Sequence, residues 1–534
     1  MATQPARILI ADSLPETCVA LLREGGLEVS VKTGLKEAEL CEIIGGFDGL
    51  IVRSATQVTA AVLAAAKRLK VVGRAGVGVD NIDVAAATKA GIAVENTPFG
   101  NITSAGEHTV AMIFACVRNI PRADQAMKSG VWDKKSFTGM ELDGKTLGVI
   151  GYGKVGAIVA RILEAAHMTV LVFDPYLTAA RAAEFGVKKV ELDELLHASD
   201  VITVHTPLTD ATKNLLNADA LRKMKKTAFV VNCARGGIID EPALAMALNE
   251  GRLAGAALDV FAEEPYPKTG PLLTAKNVVI TPHLGASTKE AQEKVSQQIA
   301  EQFVLYFRDG EVRNAVNLSV TLDPKLAPWA GLGQNLGEAL AQMASAPVKK
   351  LTVGFYGKIS AAKTRALSLI ALQGLMRAGG ADSVTLVNVE AQAANHGVEL
   401  VEQKSSDCRN FASRIELVAD VELPGGQSET RKIGGTLFDE TMPRIVQIDG
   451  LSIDLAPAPH LMLMKYQDRP GMIGKLGTIL GESKINIANM AVGRSKQGEA
   501  AVVALTLDDP VPAAVVEKVR AAIGPERIDT IELR

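Results

Sequence analysis

The stretch Thr146-Leu147-Gly148-Val149-Ile150-Gly151-Tyr152-Gly153-Lys154-Val155-Gly156 decides the fold of this chain of 534 residues. It joins a short apolar strand to a G-x-G-x-x-G motif, and residues Ala157 to Ala166 predict a helix directly after it. The chain then enters a second strand, Val170 to Phe173, and reaches Asp174. This order of strand, glycine turn, helix, strand and acidic residue predicts a dinucleotide-binding βαβ unit. The alternative is an ordinary βα turn followed by a surface aspartate.

The same motif indicates which dinucleotide would bind. Gly151, Gly153 and Gly156 let the backbone approach a pyrophosphate, whose charge would lie at the N-terminus of the helix. Asp174 would accept hydrogen bonds from the adenosine ribose hydroxyls and would repel a 2′-phosphate. The sequence therefore predicts NAD rather than NADP as the cofactor.

Strands alternate with helical stretches on both sides of this unit. Later strands are predicted at Val201 to His205, Ala228 to Asn232, Ala256 to Val260 and Val278 to Thr281. Earlier strands are predicted at Ile8 to Ile10, Leu27 to Val31, Gly49 to Val52, Lys70 to Gly73 and Ile92 to Asn96. Alternation at this spacing predicts parallel sheets with helices on both faces. We therefore expect an α/β protein with two doubly wound Rossmann-like domains and a ligand-binding cleft between them.

The rest of the chain predicts two further domains. Residues 317–454 form a mixed α+β intermediate segment in which we find no chemical motif, and a βαββαβ order of the ferredoxin-like type follows a Pro-rich linker. The predicted helix Lys289 to Arg308 has one apolar stripe and would return the chain to the first domain. The predicted domains are 1–97 with 286–316, 98–285, 317–454 and 458–534.

Composition excludes several function classes. The chain has 57 basic and 60 acidic residues, a formal charge of −3, so nucleic acid and anionic lipid are not expected partners. Its longest apolar run, Val110 to Val117, is too short to span a bilayer. Five cysteines are scattered without C-x-x-C spacing, which predicts neither a disulfide framework nor a metal site. With no leader pattern before the first strand, we expect a cytoplasmic location.

Two histidines are candidates for the acid/base that oxidation of an alcohol requires. His205 and His283 each follow a strand beside a Thr-Pro step, at the edge where such sheets bind ligands. His283 is the stronger candidate, because Glu263-Glu264-Pro265 lies upstream and a carboxylate would orient the imidazole and stabilise its protonated form. The alternative is a packed or capping histidine.

Three arginines follow strands and are candidate anion ligands. Arg235 precedes two glycines and could direct its planar guanidinium into the cleft toward a carboxylate. Arg53 and Arg74 end neighbouring strands of the first domain, so they could converge on one anion. The alternative for each is a solvated loop arginine. Cys233 beside Arg235 is expected to pack rather than to act as a nucleophile.

Four signatures in order make the chain resemble the D-isomer-specific 2-hydroxyacid dehydrogenases from Arg7 to about Asn317. They are Gly151 to Gly156, Asn232 to Gly237, Phe261 to Pro265 and Pro282 to Ala286. The overall layout is similar to the long members that oxidise 3-phosphoglycerate with NAD in L-serine biosynthesis, which carry an intermediate domain and a C-terminal ACT regulatory domain. The resemblance also implies a homo-oligomer, a dimer or tetramer.

The resemblance implies a role for each matching residue. His283 would be the acid/base, Glu264 its partner, and Arg235 the group that holds the carboxylate and the reacting oxygen. The cofactor contacts would be Val77, Gly151, Gly153, Lys154, Val155, Gly156, Asp174, Thr206, Cys233, Ala234, Arg235, Asp259, His283, Gly285 and Ala286. Val77 departs from relatives that place Thr there, so a hydroxyl contact is lost while a backbone contact could persist.

The resemblance further implies a phosphate site and an effector site. The phosphate of 3-phosphoglycerate would meet Arg53 and Arg74 with Asn101 nearby, and Lys134, where relatives often have arginine, would reach in from a neighbouring subunit. The candidate contacts for L-serine as effector are Tyr466, Asp468 and Asn486. The alternative is an ACT domain that serves assembly only.

Two other functions remain open at this point. A second dehydrogenase of the family could act on a smaller acid such as glycerate, hydroxypyruvate or 2-oxoglutarate, although Arg53 and Arg74 favour a phosphorylated substrate. A non-enzymatic NAD-sensing scaffold, as in corepressors with this fold, is disfavoured by intact Arg235, Glu264 and His283.

Overall fold

The computed structural model describes residues 4–318, 320–381, 383–423, 427–494 and 499–533. Within these ranges the chain forms four β-sheets in sequence order, of five, seven, six and four strands. The first two sheets are parallel with helices between their strands, and the last two are mixed and antiparallel. The predicted fold class is confirmed.

The first sheet has the strand order β2-β1-β3-β4-β5. Its strands are β1 (Arg7–Ile10), β2 (Glu28–Val31), β3 (Gly49–Val52), β4 (Val71–Arg74) and β5 (Ala93–Asn96). Its helices are α1 (Glu16–Glu24), α2 (Glu37–Ile44), α3 (Ala60–Ala65) and α4 (Val84–Lys89). The central strand β3 is buried on both faces, which explains its unbroken apolar sequence.

The second sheet contains the glycine motif. Its strands are β6 (Thr146–Ile150), β7 (Thr169–Phe173), β8 (Lys188–Lys189), β9 (Val201–Val204), β10 (Phe229–Asn232), β11 (Gly255–Leu258) and β12 (Val278–Ile280). Its helices are α5 (Ile102–Val117), α6 (Ile120–Lys128), α7 (Lys154–Glu164), α8 (Ala179–Glu184), α9 (Leu192–Ala198), α10 (Ala218–Lys223) and α11 (Glu241–Asn249). The strand order β12-β11-β10-β9-β6-β7-β8 reverses beside β6, which is where doubly wound sheets bind ligands.

Helix α12 (Lys289–Asp309) carries the chain from the second sheet back onto the first. Phe303 is fully buried, and a Cβ atom added at Gly73 of β4 would lie 2.4 Å from its ring. After the helix, Asn317 accepts a hydrogen bond from the Val94 N–H at 2.9 Å, and its amide donates to the Ile92 carbonyl. The chain is therefore fastened to β5 before it enters the third sheet.

The third sheet has the order β14-β13-β15-β16-β17-β18. Its strands are β13 (Val348–Gly357), β14 (Glu399–Ser405), β15 (Ser413–Glu422), β16 (Ser428–Phe438), β17 (Met442–Ile448) and β18 (Leu451–Leu455), and its helices are α13 (Ala327–Met343), α14 (Arg365–Ala378) and α15 (Val389–Asn395). Before α15, Thr385 donates to the Gly91 carbonyl at 2.9 Å, which gives this region a second contact with the first sheet's domain.

The fourth sheet has the predicted βαββαβ order. Its strands are β19 (His460–Gln467), β20 (Ile487–Arg494), β21 (Ala500–Leu507) and β22 (Arg527–Glu532), with helices α16 (Met472–Glu482) and α17 (Ala513–Ile523). Arg431 of β16 joins it to the third sheet: this side chain is 3% exposed and pairs with Asp449 at 2.9 Å and with Asp529 of β22 at 3.0 Å. Among the described residues, no helix is long and apolar enough to cross a bilayer.

Candidate active site

The three glycines of the motif have three different roles in the turn between β6 and α7. Gly151 has a φ of +90°, and a Cβ atom there would lie 2.7 Å from the His205 carbonyl oxygen. A Cβ atom at Gly156 would lie 2.3 Å from the Gly151 carbonyl oxygen, so this glycine lets the helix pack on the turn. A Cβ atom at Gly153 would have nothing within 4 Å. Gly153 therefore leaves open the space that a pyrophosphate would take at the helix N-terminus.

Asp174 completes the predicted dinucleotide site at the end of β7. Its carboxylate accepts hydrogen bonds from the Tyr152 and Tyr176 N–H groups, both at 2.8 Å. These bonds hold the carboxylate beside the glycine turn, in the position from which an acidic residue can bind ribose hydroxyls. The open space at Gly153 and this anchored carboxylate fit NAD, as the sequence predicted.

A cavity of about 840 Å³ lies between the first and second sheets. It is lined by six of the residues that the sequence singled out for chemistry and substrate binding: Arg53, Arg74, Asn101, Arg235, Glu264 and His283. Val77 and Ala286 also line it. The structure therefore brings the proposed acid/base and three cations to one place, although they come from distant parts of the chain.

His283 and Glu264 form a hydrogen-bonded pair in this cavity. The Nδ1 atom of His283 lies 2.7 Å from a Glu264 carboxylate oxygen, and the other carboxylate oxygen accepts the Phe261 N–H at 3.0 Å. The hydrogen bond to Glu264 raises the pKa of His283 above its usual range, although burial acts in the opposite direction. Burial raises the pKa of Glu264, but the bonds from His283 and the Phe261 N–H have the larger, opposite effect. The net pKa is therefore below its usual value, and the carboxyl stays ionised. The Glu264 carboxylate therefore stabilises the protonated form of the His283 imidazole.

Asp259 fixes the loop that carries His283. This carboxylate is fully buried and accepts hydrogen bonds from the Thr281 hydroxyl at 2.6 Å and from the Leu284 and Gly285 N–H groups at 2.7 and 2.8 Å. His108 of α5 contacts it at 3.2 Å. Burial raises the pKa of Asp259, but these bonds lower it below its usual value. A charged Asp259 thus ties residues 281–285 to α5.

Arg53, Arg74 and Arg235 form a cationic wall of the cavity. Burial and the charges of Arg53 and Arg235 together lower the pKa of Arg74 to about 10, although Asp12 and Asp80 act in the opposite direction. Arg74 Nε donates to Asn81 at 3.3 Å. A guanidinium with a depressed pKa among other cations has too little negative charge around it, so the wall would bind an anion favourably.

The other nucleophilic or basic candidates stay neutral. Burial lowers the pKa of His205 to about 4, and this side chain contacts Thr203 at 3.0 Å. Burial raises the pKa of Cys233 to about 12, so its thiol remains protonated near neutral pH. His205 is therefore not suited to acid/base work, and Cys233 is not suited to nucleophilic attack.

Several predicted site residues lie outside the cavity. Lys134 is placed beside Trp132, with its ammonium 5.9 Å from the ring centre. In the fourth sheet, Tyr466 is 2% exposed and packs in the apolar core, whereas Asp468 contacts Arg494 at 3.3 Å and Asn486 donates to Asp508 at 2.7 Å. Each polar candidate for the effector site thus has a partner of its own.

The structure adds residues that sequence reasoning missed. Arg235 Nε donates to Asp80 at 3.1 Å, and Asn81 connects the Arg74 side chain to the Arg53 and Thr56 carbonyls. Asp80 and Asn81 lie two and three residues after the Gly76-Val77-Gly78 turn, which was a signal that could have drawn attention to them. His108, the partner of Asp259, had no such signal.

Three family descriptions match successive parts of the chain. Residues 110–285 match the NAD binding domain of the D-isomer specific 2-hydroxyacid dehydrogenases, and residues 325–449 match the D-3-phosphoglycerate dehydrogenase intervening domain. Residues 460–524 match the ACT domain. The prediction of an NAD-binding domain and an ACT domain is confirmed by these matches.

Curated relatives are similar over nearly the whole length. The D-3-phosphoglycerate dehydrogenase of Methanocaldococcus jannaschii is 41% identical over 533 residues, which cover 99% of this chain and 100% of that protein. The enzyme of the same name from Synechocystis sp. is 40% identical over 532 residues, covering 99% and 95%.

Solved structures resemble the dehydrogenase part of the chain. D-lactate dehydrogenase from Escherichia coli matches with a TM-score of 0.52 and 29% identity, covering 58% of this chain and 99% of its own. D-lactate dehydrogenase from Aquifex aeolicus, complexed with NAD and lactic acid, matches with a TM-score of 0.51 and 30% identity, covering 57% and 96%.

Proposed function

The chain belongs to the D-isomer-specific 2-hydroxyacid dehydrogenase family, and we infer that its cavity is where 3-phospho-D-glycerate is oxidised to 3-phosphohydroxypyruvate. The reaction uses NAD and opens L-serine biosynthesis. The observation that carries the site assignment is one cavity lined by the His283–Glu264 pair and three arginines. An anionic substrate with two charged ends and an oxidisable hydroxyl between them matches this lining.

The residues of the cavity divide the chemical work. Arg235 binds the substrate carboxylate and the C2 oxygen, which fixes the hydroxyl against His283. Because His283 Nδ1 is engaged by Glu264, Nε2 is the nitrogen that accepts the hydroxyl proton. Glu264 stabilises the imidazolium that forms. NAD supplies the hydride acceptor when it is bound, and the residues that hold it are those of the glycine turn with Asp174.

Arg53 and Arg74 are the proposed ligands of the phosphate, with Asn101 beside them. Both arginines line the cavity on the side of the first sheet, while His283 and Glu264 line it on the side of the second. A substrate that spans the cleft therefore places its carboxylate end and its phosphate end on different cations. A smaller 2-hydroxy acid would leave Arg53 and Arg74 without an anion to bind.

Lys134 is proposed to act in a neighbouring subunit of a homo-oligomer, a dimer or tetramer. It lies outside its own cavity, in a region that exposes large apolar side chains. These are Ile120, Met127, Val131 and Trp132, exposed by 54%, 52%, 51% and 74%. Exposed apolar side chains in one stretch favour a subunit contact.

L-serine is proposed as the effector of the fourth sheet's domain. Asp468 and Asn486 are the candidates for contact with its ammonium and carboxylate groups, since both side chains lie at the ends of strands and near the surface. Tyr466, being buried, would support this edge by packing. Asp468→Ala and Asn486→Ala should abolish inhibition by serine, and Asp509→Ala, in the bend that follows β21, should not.

We propose a separate role for each predicted domain. Residues 1–97 with 286–316 would bind the substrate and residues 98–285 would bind NAD. Residues 317–454 and 458–534 would control them. We also propose a cytoplasmic location, which the five free cysteines support because a reducing compartment keeps thiols unpaired.

The deciding experiment is to measure NADH formation with 3-phosphoglycerate, D-glycerate and D-lactate, each with and without L-serine. We expect kcat/KM to be highest for 3-phosphoglycerate. A preference for an unphosphorylated acid would overturn the substrate assignment and favour the second dehydrogenase function. An unchanged rate in serine would overturn the effector role alone.

A further inference from the structure

Asp80 and Arg235 form an ion pair across the cleft. Asp80 follows the Gly76-Val77-Gly78 turn on the first sheet's side, and Arg235 lies in the loop after β10 on the second sheet's side. Arg235 Nε donates to an Asp80 carboxylate oxygen at 3.1 Å, and Nη1 donates to the Ala234 carbonyl at 2.7 Å. Neither bond uses Nη2, so one amino end of the guanidinium remains available to a ligand in the cavity.

The backbone of the turn is shaped around this pair. A Cβ atom at Gly78 would lie 2.2 Å from Arg235 Nη2 and 2.7 Å from an Asp80 carboxylate oxygen. The φ of Gly78 is not in the left-handed region, so a side chain here would not strain the backbone but would displace the ends of the Arg235 and Asp80 side chains. Gly78 is thus a second residue, besides Asp80, that lets the turn lie close to the Arg235 guanidinium.

We propose that Asp80 is a positioning residue for the oxidation, because it holds the Nε edge of Arg235 so that Nη2 points at the substrate. This inference rests on the proposed function of the cavity. A guanidinium binds a carboxylate well only in a fixed plane, and each donor held by the protein removes one way for the side chain to rotate away. Asp80 and the Ala234 carbonyl hold two of the three nitrogens.

The charge of Asp80 has a second effect in the same place. Arg53, Arg74 and Arg235 repel one another, and Asp80 and Asp12 are the carboxylates that oppose this repulsion at Arg74. Asp80 is 71% exposed, so water screens its charge and the direct bond to Nε is the larger contribution. Substitution of Asp80 should therefore disturb the orientation of the Arg235 guanidinium more than the electrostatic balance of the three arginines.

Two substitutions separate these contributions. Asp80→Ala removes the acceptor and the charge, whereas Asp80→Asn removes the charge and keeps an acceptor oxygen. We expect Asp80→Ala to lower kcat/KM for 3-phosphoglycerate about 10-fold, the size of one hydrogen bond to a charged group, through a higher KM and a lower kcat. Asp80→Asn should recover most of this loss. The KM for NAD should stay unchanged in both, and so should every parameter in the control Asp219→Asn, at an exposed aspartate that pairs with Arg222 on α10.

A double-mutant cycle tests whether Asp80 acts through Arg235. In Arg235→Lys the Nε donor is absent, so adding Asp80→Ala should change kcat/KM less than about twofold in that background. An equal loss in both backgrounds would overturn the proposal. So would a lower KM in Asp80→Ala, because it would identify Asp80 as a carboxylate that competes with the substrate. Turnover of 3-phosphoglycerate by the unsubstituted enzyme tests the proposed function separately.

Discussion

Two arginines in different halves of the chain have opposite electrostatic surroundings. Arg74 lies in the cleft, where burial and the charges of Arg53 and Arg235 lower its pKa to about 10. Arg431 lies between the third and fourth sheets, where burial also lowers its pKa, but hydrogen bonds to Asp449 and the charge of Asp529 raise it above the usual value. Arg74 has more cations than carboxylates near it, which favours binding of an anion. Arg431 is paired with two carboxylates and serves as a structural joint, a residue that links the third and fourth sheets.

The largest expected effect is the loss of catalysis on changing His283 to Ala. Removal of the acid/base should lower kcat about 10³-fold, within the range that general acid–base catalysis contributes, while NAD binding persists because the glycine turn and Asp174 are untouched. Turnover and NAD affinity by calorimetry measure the two effects. The control His167→Ala, at an exposed residue paired with Asp143, should retain full turnover. If His283→Ala retained its turnover, the cleft would not be the site of catalysis, and the contrast between Arg74 and Arg431 would lose its functional half.

The next effect in size is on stability, at Arg431. Arg431→Met should lower the free energy of unfolding by about 3 kcal/mol, because it leaves Asp449 without its buried counter-charge and Asp529 with Arg527 alone. Urea denaturation measures this loss. The control Arg444→Met breaks an ion pair of 3.7 Å to an exposed Asp454 and should cost less than about 1 kcal/mol. Equal losses would mean that Arg431 is not a joint.

In contrast to Arg431→Met, Arg74→Met should impair substrate binding and leave the stability of the protein unchanged. We expect the KM for 3-phosphoglycerate to rise about 10- to 100-fold, as for the loss of a charged hydrogen bond, while the KM for D-glycerate changes much less. Stability should hold, because the substitution relieves repulsion from Arg53 and Arg235. Arg23→Met on the exposed face of α1 is the control. A parallel rise in both KM values would contradict the assignment of Arg74 to the phosphate.

The smallest effect is a shift in pH dependence. His283 must be neutral to accept a proton, so kcat/KM for oxidation should rise with pH through the His283 pKa, and the reverse reduction should fall. Glu264→Gln removes the carboxylate that raises this pKa, so the rise in oxidation should move to lower pH. A profile that moves to higher pH would contradict the His283–Glu264 pairing.

Sequence reasoning placed residues correctly where their position depends on neighbours in the chain. The glycine turn after β6 and the acidic residue after β7 were predictable because backbone geometry and strand order bring them together. Arg53, Arg74 and Arg235 were predictable as residues at strand ends, since parallel strands direct these ends to one edge. The fold class followed from the alternation of strands and helices.

Sequence reasoning failed where a function depends on contact between distant segments. The Asp80–Arg235 pair links residues on opposite sides of the cleft, and no periodicity indicates which acidic residue meets which arginine. His108 meets Asp259 only because α5 packs beneath the His283 loop. Tyr466 was predicted as a candidate effector contact but is buried in an apolar core, because the strand pattern leaves the direction of a single side chain unspecified.

The fastening of Asn317 to β5 has a mechanical consequence. The chain crosses twice between the part that carries the first sheet and the part that carries the second sheet, near Asn101 and near Thr288. The third sheet contacts the part that carries the first sheet, through Asn317 and through the Thr385 bond to Gly91, and the fourth sheet is joined to the third. A force applied to those sheets would therefore reach the part that carries Arg53 and Arg74 before it reaches the part that carries His283.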